Sequence, residues 1–597
     1  MDFKIEKNSN EEIKRRKIEN ENENKNNHSI KTFKMILKPK QKLSFYGKIQ
    51  IKIIKGNLKI LGFNINTSNS GKISIFSPTT LSALTLENNN RNQSTEFKIY
   101  SEKNIQIKNK AFKEMFDIHE YLGININTNI NKNESKTKWN ETRNQVVECF
   151  ADPRPEIGSK NGVLFLSEMK EFGVLLRGDS RLYNQITSKL VIPDSWRSIC
   201  KDIKKKSVGI IQKKGVSPVI LVCGAQNCGK STFSKFLLNS MLNIFSCVYH
   251  FETDVGQCEF TPPGVISVSR VVEPLFGPGF MRMNWPEITQ FYGDDNPAKM
   301  PSLYIDMIRH LQEMLTKMQA KDLSSDGTQW PVIINTHGWI HSVGEQLLHS
   351  IIKITKPHFI VHLKSENYLL NNDELLGVPN ILSYQEFQKV FICESFNKKL
   401  NKEDLQEENI GRIRKEKHQA SIKFKMFKWD HYFTQRSEVN ICLQAPFQVG
   451  WGGIRLRVLS NEVPFCEFLN VLNGSLIGLV CDKQEYDCED EKFNKELPQI
   501  LQETPIRSAE CVGFGVVRSI DMSKKLFYII TPILIEKLKQ VNTLVLGFVR
   551  LPIEVLVDWG LDFDTPYFSA YNGSKILEGN HEMKRRVGKI LVKSKEI

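Results

Sequence analysis

"VILVCGAQNCGKSTFSKFLLNSM" (Val219–Met241) joins an apolar run, a glycine-rich loop and an amphipathic segment. After the loop, Phe233, Phe236, Leu237 and Met241 recur at the spacing of one helical face. An apolar run of this length before a tight loop is typical of a buried strand. The stretch therefore predicts a strand, a loop and a helix that packs on a sheet.

The loop matches the pattern G-x-x-x-x-G-K-[ST], whose glycines let backbone N–H groups close around phosphate oxygens at the positive end of a helix. In this pattern Lys230 reaches the β- and γ-phosphates, Ser231 offers its hydroxyl to magnesium, and Thr232 contacts the α-phosphate. Cys228 has no role in that chemistry and is interpreted as a tolerated small side chain. The predicted nucleotide-binding residues are Gly224, Ala225, Gln226, Asn227, Cys228, Gly229, Lys230, Ser231 and Thr232.

Apolar runs alternate with helical patterns between about residues 205 and 400, as expected for an α/β core with a parallel sheet, and the predicted P-loop domain with its lid spans residues 205–435. Besides "VILVC", the predicted strands are "CVYHFE" (Cys247–Glu252), "PVIIN" (Pro331–Asn335), "HFIVHL" (His358–Leu363) and "KVFIC" (Lys389–Cys393). The segment "LYIDMIRHLQEMLTKM" predicts a crossover helix whose apolar face packs on the sheet. That face consists of Leu303, Met307, Leu311, Met314, Leu315 and Met318.

A chain of 597 residues exceeds what one hydrophobic core usually organises, so several domains are predicted. Residues 1–34 are polar and are expected to be a disordered tail, in which "KRRK" (Lys14–Lys17) is either a nuclear-import signal or a solvated charge run. Residues 35–204 predict a β-rich N-terminal domain with a polar insert near 127–145, and residues 436–597 predict a β-rich C-terminal domain.

The net charge of +15 and the isoelectric point near 9.1 favour a polyanionic partner, because clustered Lys and Arg release counterions when they neutralise phosphates. The 12 cysteines include no CxxC pair, and the N-terminal residues lack the apolar core of a secretion signal. No run approaches the roughly 18 apolar residues of a membrane span. We therefore expect a reduced, intracellular and soluble protein without a membrane partner.

The segment "FETDVGQ" (Phe251–Gln257) places two carboxylates at the C-terminal edge of the sheet, where α/β proteins bind ligands. The alternation of a strand predicts Glu252 and Asp254 on one face. One carboxylate can order the water shell of a metal ion, and the other can accept a proton from an attacking hydroxyl. A solvated strand end remains the alternative.

The segment "INTHGW" (Ile334–Trp339) brings Asn335, Thr336 and Trp339 to the same edge. An exposed Trp339 would stack on a nucleobase, an interaction of roughly 1 to 3 kcal/mol per base. A buried core tryptophan fits the sequence nearly as well.

Two further motifs are not expected to have the function that their pattern usually indicates. His337 and His341 have a metal-compatible spacing, but no third ligand is evident, so surface or core roles are favoured over zinc. "NKED" (Asn401–Asp404) fits the guanine-recognition pattern N-K-x-D, but no buried apolar strand precedes it. A GTP-dependent switch is therefore disfavoured.

Several of these motifs resemble, in order and spacing, the nucleolar polynucleotide 5'-hydroxyl-kinase family. They are "GAQNCGKSTF", "HFETDVGQCEFTPPGVIS", "VVEPLFGP", "FYGDDNP" and "INTHGW". That family acts in ribosomal RNA processing and is related to the kinase subunit of the messenger-RNA 3'-end cleavage machinery. The likeness covers most of residues 35–597, and "EFTPPG" (Glu259–Gly264) favours the nucleolar branch.

The resemblance implies a nuclear, nucleolar protein whose P-loop kinase core, flanked by β-rich domains, transfers the γ-phosphate of ATP to the 5'-hydroxyl of RNA. It implies that Lys230 and Ser231 hold the triphosphate and Mg²⁺, and that Asp254 is the general base. An ATP-binding scaffold with weak or no catalysis is the alternative function.

The same resemblance implies that Thr336, Gly338 and Trp339 clasp the RNA end, with Trp339 stacked on the terminal base. Arg412 and Arg414 occupy the interval in which relatives place lid arginines over the transferring phosphoryl group. Family members also bind an endoribonuclease that cleaves the spacer between ribosomal RNAs, so such a partner is implied here.

Overall fold

The protein is described from a computed structural model. The described residues are 32–40, 42–68, 71–77, 84–88, 90, 92–101, 147–148, 163–165, 175–176, 190, 192–279, 285–326, 329–339, 341–364, 389–394, 422, 424–435, 441–459, 463–464, 467–483, 498–501, 509–552 and 555. Four predictions lie outside them: the import signal, the polar insert, the lid arginines and the "NKED" motif. They are at Lys14–Lys17, 127–145, Arg412 with Arg414, and Asn401–Asp404.

The smaller of two compact units contains the described residues before 177, apart from 61–63. Its strands are β1 (Thr32–Leu37), β2 (Lys42–Lys55), β3 (Asn57–Ile60), β4 (Phe63–Asn66), β5 (Ile73–Ser77), β6 (Leu84–Glu87), β7 (Thr95–Ser101), β8 (Val147–Glu148), β9 (Val163–Phe165) and β10 (Leu175–Leu176). Strand β1 begins inside the segment 1–34 for which a disordered tail was predicted, and the rest of that segment lies outside the described residues.

Strand β2 organises this unit. Its first half pairs with β6 and β9, and its second half pairs with β5 and β7. Ile51 and Ile53 are buried while Lys52 between them is exposed, which is the alternation of a strand with one face in a core. The β-rich character predicted for this region is thus present.

The larger unit comprises the described residues from 190 onward together with 61–63. Its central sheet has the order β14-β13-β12-β15-β11-β16-β17. The strands are β11 (Val219–Gly224), β12 (Val248–Glu252), β13 (Val265–Val271), β14 (Ile288–Phe291), β15 (Val332–Asn335), β16 (Phe359–Lys364) and β17 (Lys389–Glu394). All five predicted strands are present and parallel, but β13 and β14 join one edge antiparallel, so the sheet is mixed.

Helices cover this sheet. They are α1 (Asp194–Lys214), α2 (Lys230–Met241), α3 (Pro301–Asp326) and α4 (Val343–Thr355). A further helix, α5 (residues 424–434), packs its Trp429 ring 4.8 Å from the ring of Phe514, in a different core. The predicted faces of α2 and α3 are the ones that pack, since Phe233, Leu237 and Leu311 are all fully buried. None of the helices in the described ranges is long and apolar enough to span a membrane.

Helix α1 packs on α2, because the ring of Trp196 meets the ring of Phe233 edge-on at 5.1 Å between centroids. The domain boundary expected between 204 and 205 falls inside this helix. We therefore propose that the kinase domain begins before Asp194.

The second sheet of the larger unit has the order β18-β23-β22-β20-β24-β19-β21 and lies within residues 436–597, for which a β-rich domain was predicted. Its strands are β18 (Phe447–Gly450), β19 (Arg455–Val458), β20 (Leu476–Cys481), β21 (Gln499–Leu501), β22 (Glu510–Asp521), β23 (Leu526–Ile530) and β24 (Thr543–Leu546). Short helices α6 (Phe468–Leu472) and α7 (Ile535–Leu538) and two 3₁₀ turns (Ile441–Leu443, Trp451–Gly453) accompany it.

The two sheets of the larger unit meet along β14. The Trp285 indole N–H donates to the carbonyl oxygen of Cys511 at 3.0 Å, and the Phe291 and Phe514 rings lie 5.9 Å apart. The fold class predicted from sequence, a P-loop α/β core flanked by β-rich regions, is confirmed.

Candidate active site

The loop between β11 and α2 is shaped by three residues with positive φ. Gly224 has φ 144°, Asn227 has φ 61° and Gly229 has φ 94°. A Cβ at Gly224 would lie 2.5 Å from the carbonyl oxygen of Leu363, so only glycine fits there. Asparagine tolerates the left-handed conformation that Asn227 adopts. The sequence thus closes the loop tightly at the carboxyl end of β11.

The side chains of this loop suit an anionic ligand. Lys230 is 6% exposed, and its Nζ donates to the carbonyl oxygen of Ala225 at 2.8 Å, inside the loop. Ser231 and Thr232, at the start of α2, are half-buried. The first turn of α2 contains no acidic residue, and Gly229 provides no side-chain cap. A helix start with a buried ammonium beside it fits the triphosphate predicted for it.

Glu252 ends β12 and is 1% exposed. Its Oε1 accepts from the backbone N–H of Asp254 at 3.1 Å and from the Asn335 amide at 2.9 Å. Its Oε2 accepts from the backbone N–H of Glu259 at 3.2 Å. Burial raises the pKa of Glu252 to about 8, and repulsion from Asp254 acts in the same direction. Glu252 therefore holds neighbouring backbone in place from the interior.

Asp254 is half-buried and lies beyond the end of β12. Its Oδ1 accepts from the backbone N–H groups of Gly256 at 3.0 Å and Gln257 at 3.2 Å. The strand alternation that predicted a shared face for the two carboxylates does not reach Asp254, because β12 stops at Glu252. The pair is therefore divided into an interior carboxylate and one that is open to solvent.

The T-H-G-W segment lies against the phosphate loop. A Cβ at Gly338 would be 2.8 Å from Cα of Gln226 and 3.0 Å from Nζ of Lys230. Trp339 is 37% exposed. Thr336 is fully buried and donates its hydroxyl to the carbonyl oxygen of Val222 at 2.9 Å, so it positions this segment and offers no open surface to RNA.

His337 is 3% exposed, whereas His341 is exposed. The His337 ring lies 6.1 Å from the Tyr304 ring, whose hydroxyl donates to the carbonyl oxygen of Thr253 at 2.7 Å. Burial lowers the pKa of His337 to about 4, against an opposing influence from Asp254. In the part of the chain that the structure describes, no group of three His, Cys, Asp or Glu side chains is arranged to hold a metal ion.

Three charged residues around this site were not predicted from the sequence. Lys235 on α2 pairs with Glu259 at 2.8 Å, and Lys428 on α5 is 3% exposed. A signal for Lys428 exists, because Phe424 and Tyr432 stand four residues before and after it, on the same apolar face of a helix. The position of Glu259 depends on the folded loop, and the sequence carries no signal for it.

Three family models match separate parts of this chain. Residues 224–434 match the family model described as mRNA cleavage and polyadenylation factor CLP1 P-loop. Residues 442–552 match NOL9-like, C-terminal domain, and residues 21–136 match Polynucleotide 5'-hydroxyl-kinase NOL9, N-terminal domain. The chain belongs to the NOL9 family. The family that the sequence motifs indicated is thereby confirmed.

Two relatives show the extent of the NOL9 match. The chain is 28% identical to Polynucleotide 5'-hydroxyl-kinase nol9 of Dictyostelium discoideum over 87% of its own length and 80% of that protein. It is 31% identical to NOL9 of Bos taurus over 60% of its own length and 53% of that protein, about half of the bovine relative.

The solved structures support the same fold. A structure of Clp1p with Pcf11p has a TM-score of 0.50 and 11% identity, and the match covers 87% of this chain and 99% of that one. At this identity the likeness concerns the fold alone.

Proposed function

We propose that this protein is an ATP-dependent polynucleotide 5'-hydroxyl kinase that phosphorylates RNA 5' ends. One observation carries the proposal: the backbone of Gly338 lies on the phosphate loop beside Lys230, so a nucleic-acid end held by this segment would meet the bound triphosphate. The names of the relatives support it, because those proteins are called polynucleotide 5'-hydroxyl kinases.

On the donor side, the loop backbone and the Lys230 ammonium would hold ATP through its phosphates. Mg²⁺ keeps several water ligands and needs few protein ligands, so the Ser231 hydroxyl together with substrate phosphates fits its requirements. Bound ATP and Mg²⁺ would supply the phosphoryl group and neutralise its charge. Lys230, already buried in the loop, requires little reorganisation to face that charge.

On the acceptor side, Asp254 is the carboxylate that solvent and substrate can reach, and we assign it as the general base for the 5'-hydroxyl. Two backbone N–H groups hold its Oδ1, which leaves Oδ2 to accept a proton. Trp339, with more than a third of its surface exposed, supplies an aromatic face for the terminal base. Arg412 and Arg414 stay predicted lid residues.

We further propose a nucleolar location and a role in ribosomal RNA processing together with a spacer endoribonuclease. These rest on the NOL9 family name and on the basic charge of the chain.

The proposal is tested by incubating the purified protein with γ-labelled ATP, Mg²⁺ and a 5'-hydroxyl RNA oligonucleotide. Wild type is expected to label the RNA. Lys230→Ala should lose at least about 100-fold in transfer because it removes charge from the phosphoryl site. Asp254→Asn should lose about 10²- to 10⁴-fold while still binding ATP.

An ATP-binding scaffold would behave differently. It would bind ATP and transfer no phosphate in the wild type, and Asp254→Asn would change nothing. Full activity of Lys230→Ala would also refute the proposed site.

A further inference from the structure

Two lysines and two glutamates form a buried charge cluster behind the loop that follows β12. The members of this cluster are Lys235, Glu252, Glu259 and Lys428. Lys235 comes from α2, Lys428 comes from α5, and the two glutamates stand at either end of the loop segment 252–259. The cluster connects two helices to the loop that contains Asp254.

Lys428 is the most buried cation of this cluster. Its side chain is 3% exposed, its ammonium donates to the carbonyl oxygen of Cys258, and Nζ lies 5.1 Å from the centre of the Phe424 ring. Burial lowers the pKa of Lys428, and the nearby glutamates oppose that shift. Burying a charged group costs free energy, so stability alone does not explain a lysine here.

The groups that surround Lys428 also hold the backbone of Asp254. The thiol of Cys258 donates to the carbonyl oxygen of Asp254 at 3.2 Å, and the N–H of Asp254 donates to Glu252 at 3.1 Å. Glu252 in turn accepts from the N–H of Glu259. Asp254 is thus fixed on both sides by a loop whose far end is held by Lys428.

We propose that Lys428 is a positioning residue for Asp254: by fixing the Cys258 carbonyl, it sets the loop that holds the Asp254 carboxylate near the phosphate loop. This inference rests on the proposed kinase function. It adds a residue from α5, which lies 170 positions after Cys258 in sequence, to the support of the general base.

The test compares Lys428→Met, which keeps the stem and removes both charge and donor, with Lys428→Gln, which keeps a donor. Lys425→Met is the matched control, because Lys425 is on the same helix and pairs with Asp295 at 2.8 Å at the surface. For each full-length variant, kcat and KM are measured with ATP and 5'-hydroxyl RNA, and bound nucleotide per chain is counted with a fluorescent ATP analogue.

Lys428→Met is expected to lower kcat about tenfold to 100-fold, since small misplacements of a catalytic group cost up to that much. Nucleotide stoichiometry and KM for ATP should stay within about threefold of wild type, because the phosphate loop is untouched. Lys428→Gln should recover part of kcat, and Lys425→Met should match wild type. If Lys428→Met does not fold, Lys428→Gln is compared with wild type and Lys425→Met in its place.

The inference is overturned if Lys428→Met keeps kcat within threefold, or if bound nucleotide falls in proportion to kcat, which would indicate loss of folded protein. Equal losses in Lys428→Met and Lys425→Met would also overturn it. Failure of the kinase proposal looks different, because wild type itself would then transfer no phosphate.

Discussion

At the scale of single residues, Glu252 links the active site to the pH dependence of stability. Its pKa is about 8 in the folded protein, above its usual value, so the folded state holds this proton at pH values where the unfolded state has lost it. The contribution of Glu252 to the free energy of unfolding is present at low pH and is lost as pH rises through about 8. The slope for one proton is about 1.4 kcal/mol per pH unit.

We therefore expect the free energy of unfolding of wild type, minus that of Glu252→Gln, to decrease as the pH is raised from 6.5 to 8. Denaturant unfolding at several pH values measures this difference. The exposed Glu510 provides the control, and Glu510→Gln should keep the slope of wild type. An unchanged slope in Glu252→Gln would contradict the assignment.

The contribution of His337 to stability changes with pH in the opposite direction. Because burial lowers its pKa to about 4, the unfolded state binds a proton between pH 4 and 6.5 that the folded state does not. Wild type should lose stability as pH falls through this range, and His337→Gln should lose less. The exposed His341 is the control, since His341→Gln should follow wild type. Acid unfolding curves that coincide for wild type and His337→Gln would refute a buried neutral His337.

At the scale of elements, the contact between the phosphate loop and the T-H-G-W segment depends on the absence of a side chain at Gly338. In Gly338→Ala the methyl group would lie 2.8 Å from Cα of Gln226, so the backbone of one segment must move. Overpacking of this kind costs about 1 to 3 kcal/mol. We expect weaker ATP binding, measured by calorimetric titration, and a lower kcat.

The control for this change is Gly209→Ala in α1, where nothing lies within 4 Å of the added methyl group. It should leave ATP affinity unchanged and stabilise the helix by about 0.5 to 1 kcal/mol. If Gly338→Ala binds ATP as tightly as Gly209→Ala, the two segments are not in the contact described.

The same elements show what the sequence could predict. The five parallel strands and the faces of α2 and α3 follow from apolar spacing, because burial on a sheet imposes that spacing. The antiparallel strands β13 and β14 were not predicted, because their position at the edge of the sheet depends on pairing between distant segments. The sequence also did not predict that Glu252 is buried while Asp254 is open to solvent, because this difference depends on where β12 ends.

At the scale of the larger unit, the second sheet reaches the active-site loop through a chain of close backbone contacts. The N–H of Val549 donates to the carbonyl oxygen of Gly293 at 2.8 Å, and the N–H of Gly293 donates to the carbonyl oxygen of Gly264 at 3.0 Å. The N–H of Gly264 donates to the carbonyl oxygen of Val255, next to Asp254, at 2.8 Å. The second sheet therefore supports the catalytic loop as well as its own core.

Gly547, at the end of β24, tests this support. Its added Cβ would lie 2.4 Å from the carbonyl oxygen and 2.6 Å from Cα of Gly293, so Gly547→Ala must separate the two backbones. We expect a loss of about 1 to 3 kcal/mol in stability, seen as a lower unfolding temperature in calorimetry, and a lower kcat with little change in KM for ATP. Gly450→Ala in β18 adds a methyl group that meets nothing within 4 Å and should change neither quantity. A Gly547→Ala protein that melts earlier but keeps the kcat of wild type would separate the stability of the sheet from the geometry of Asp254.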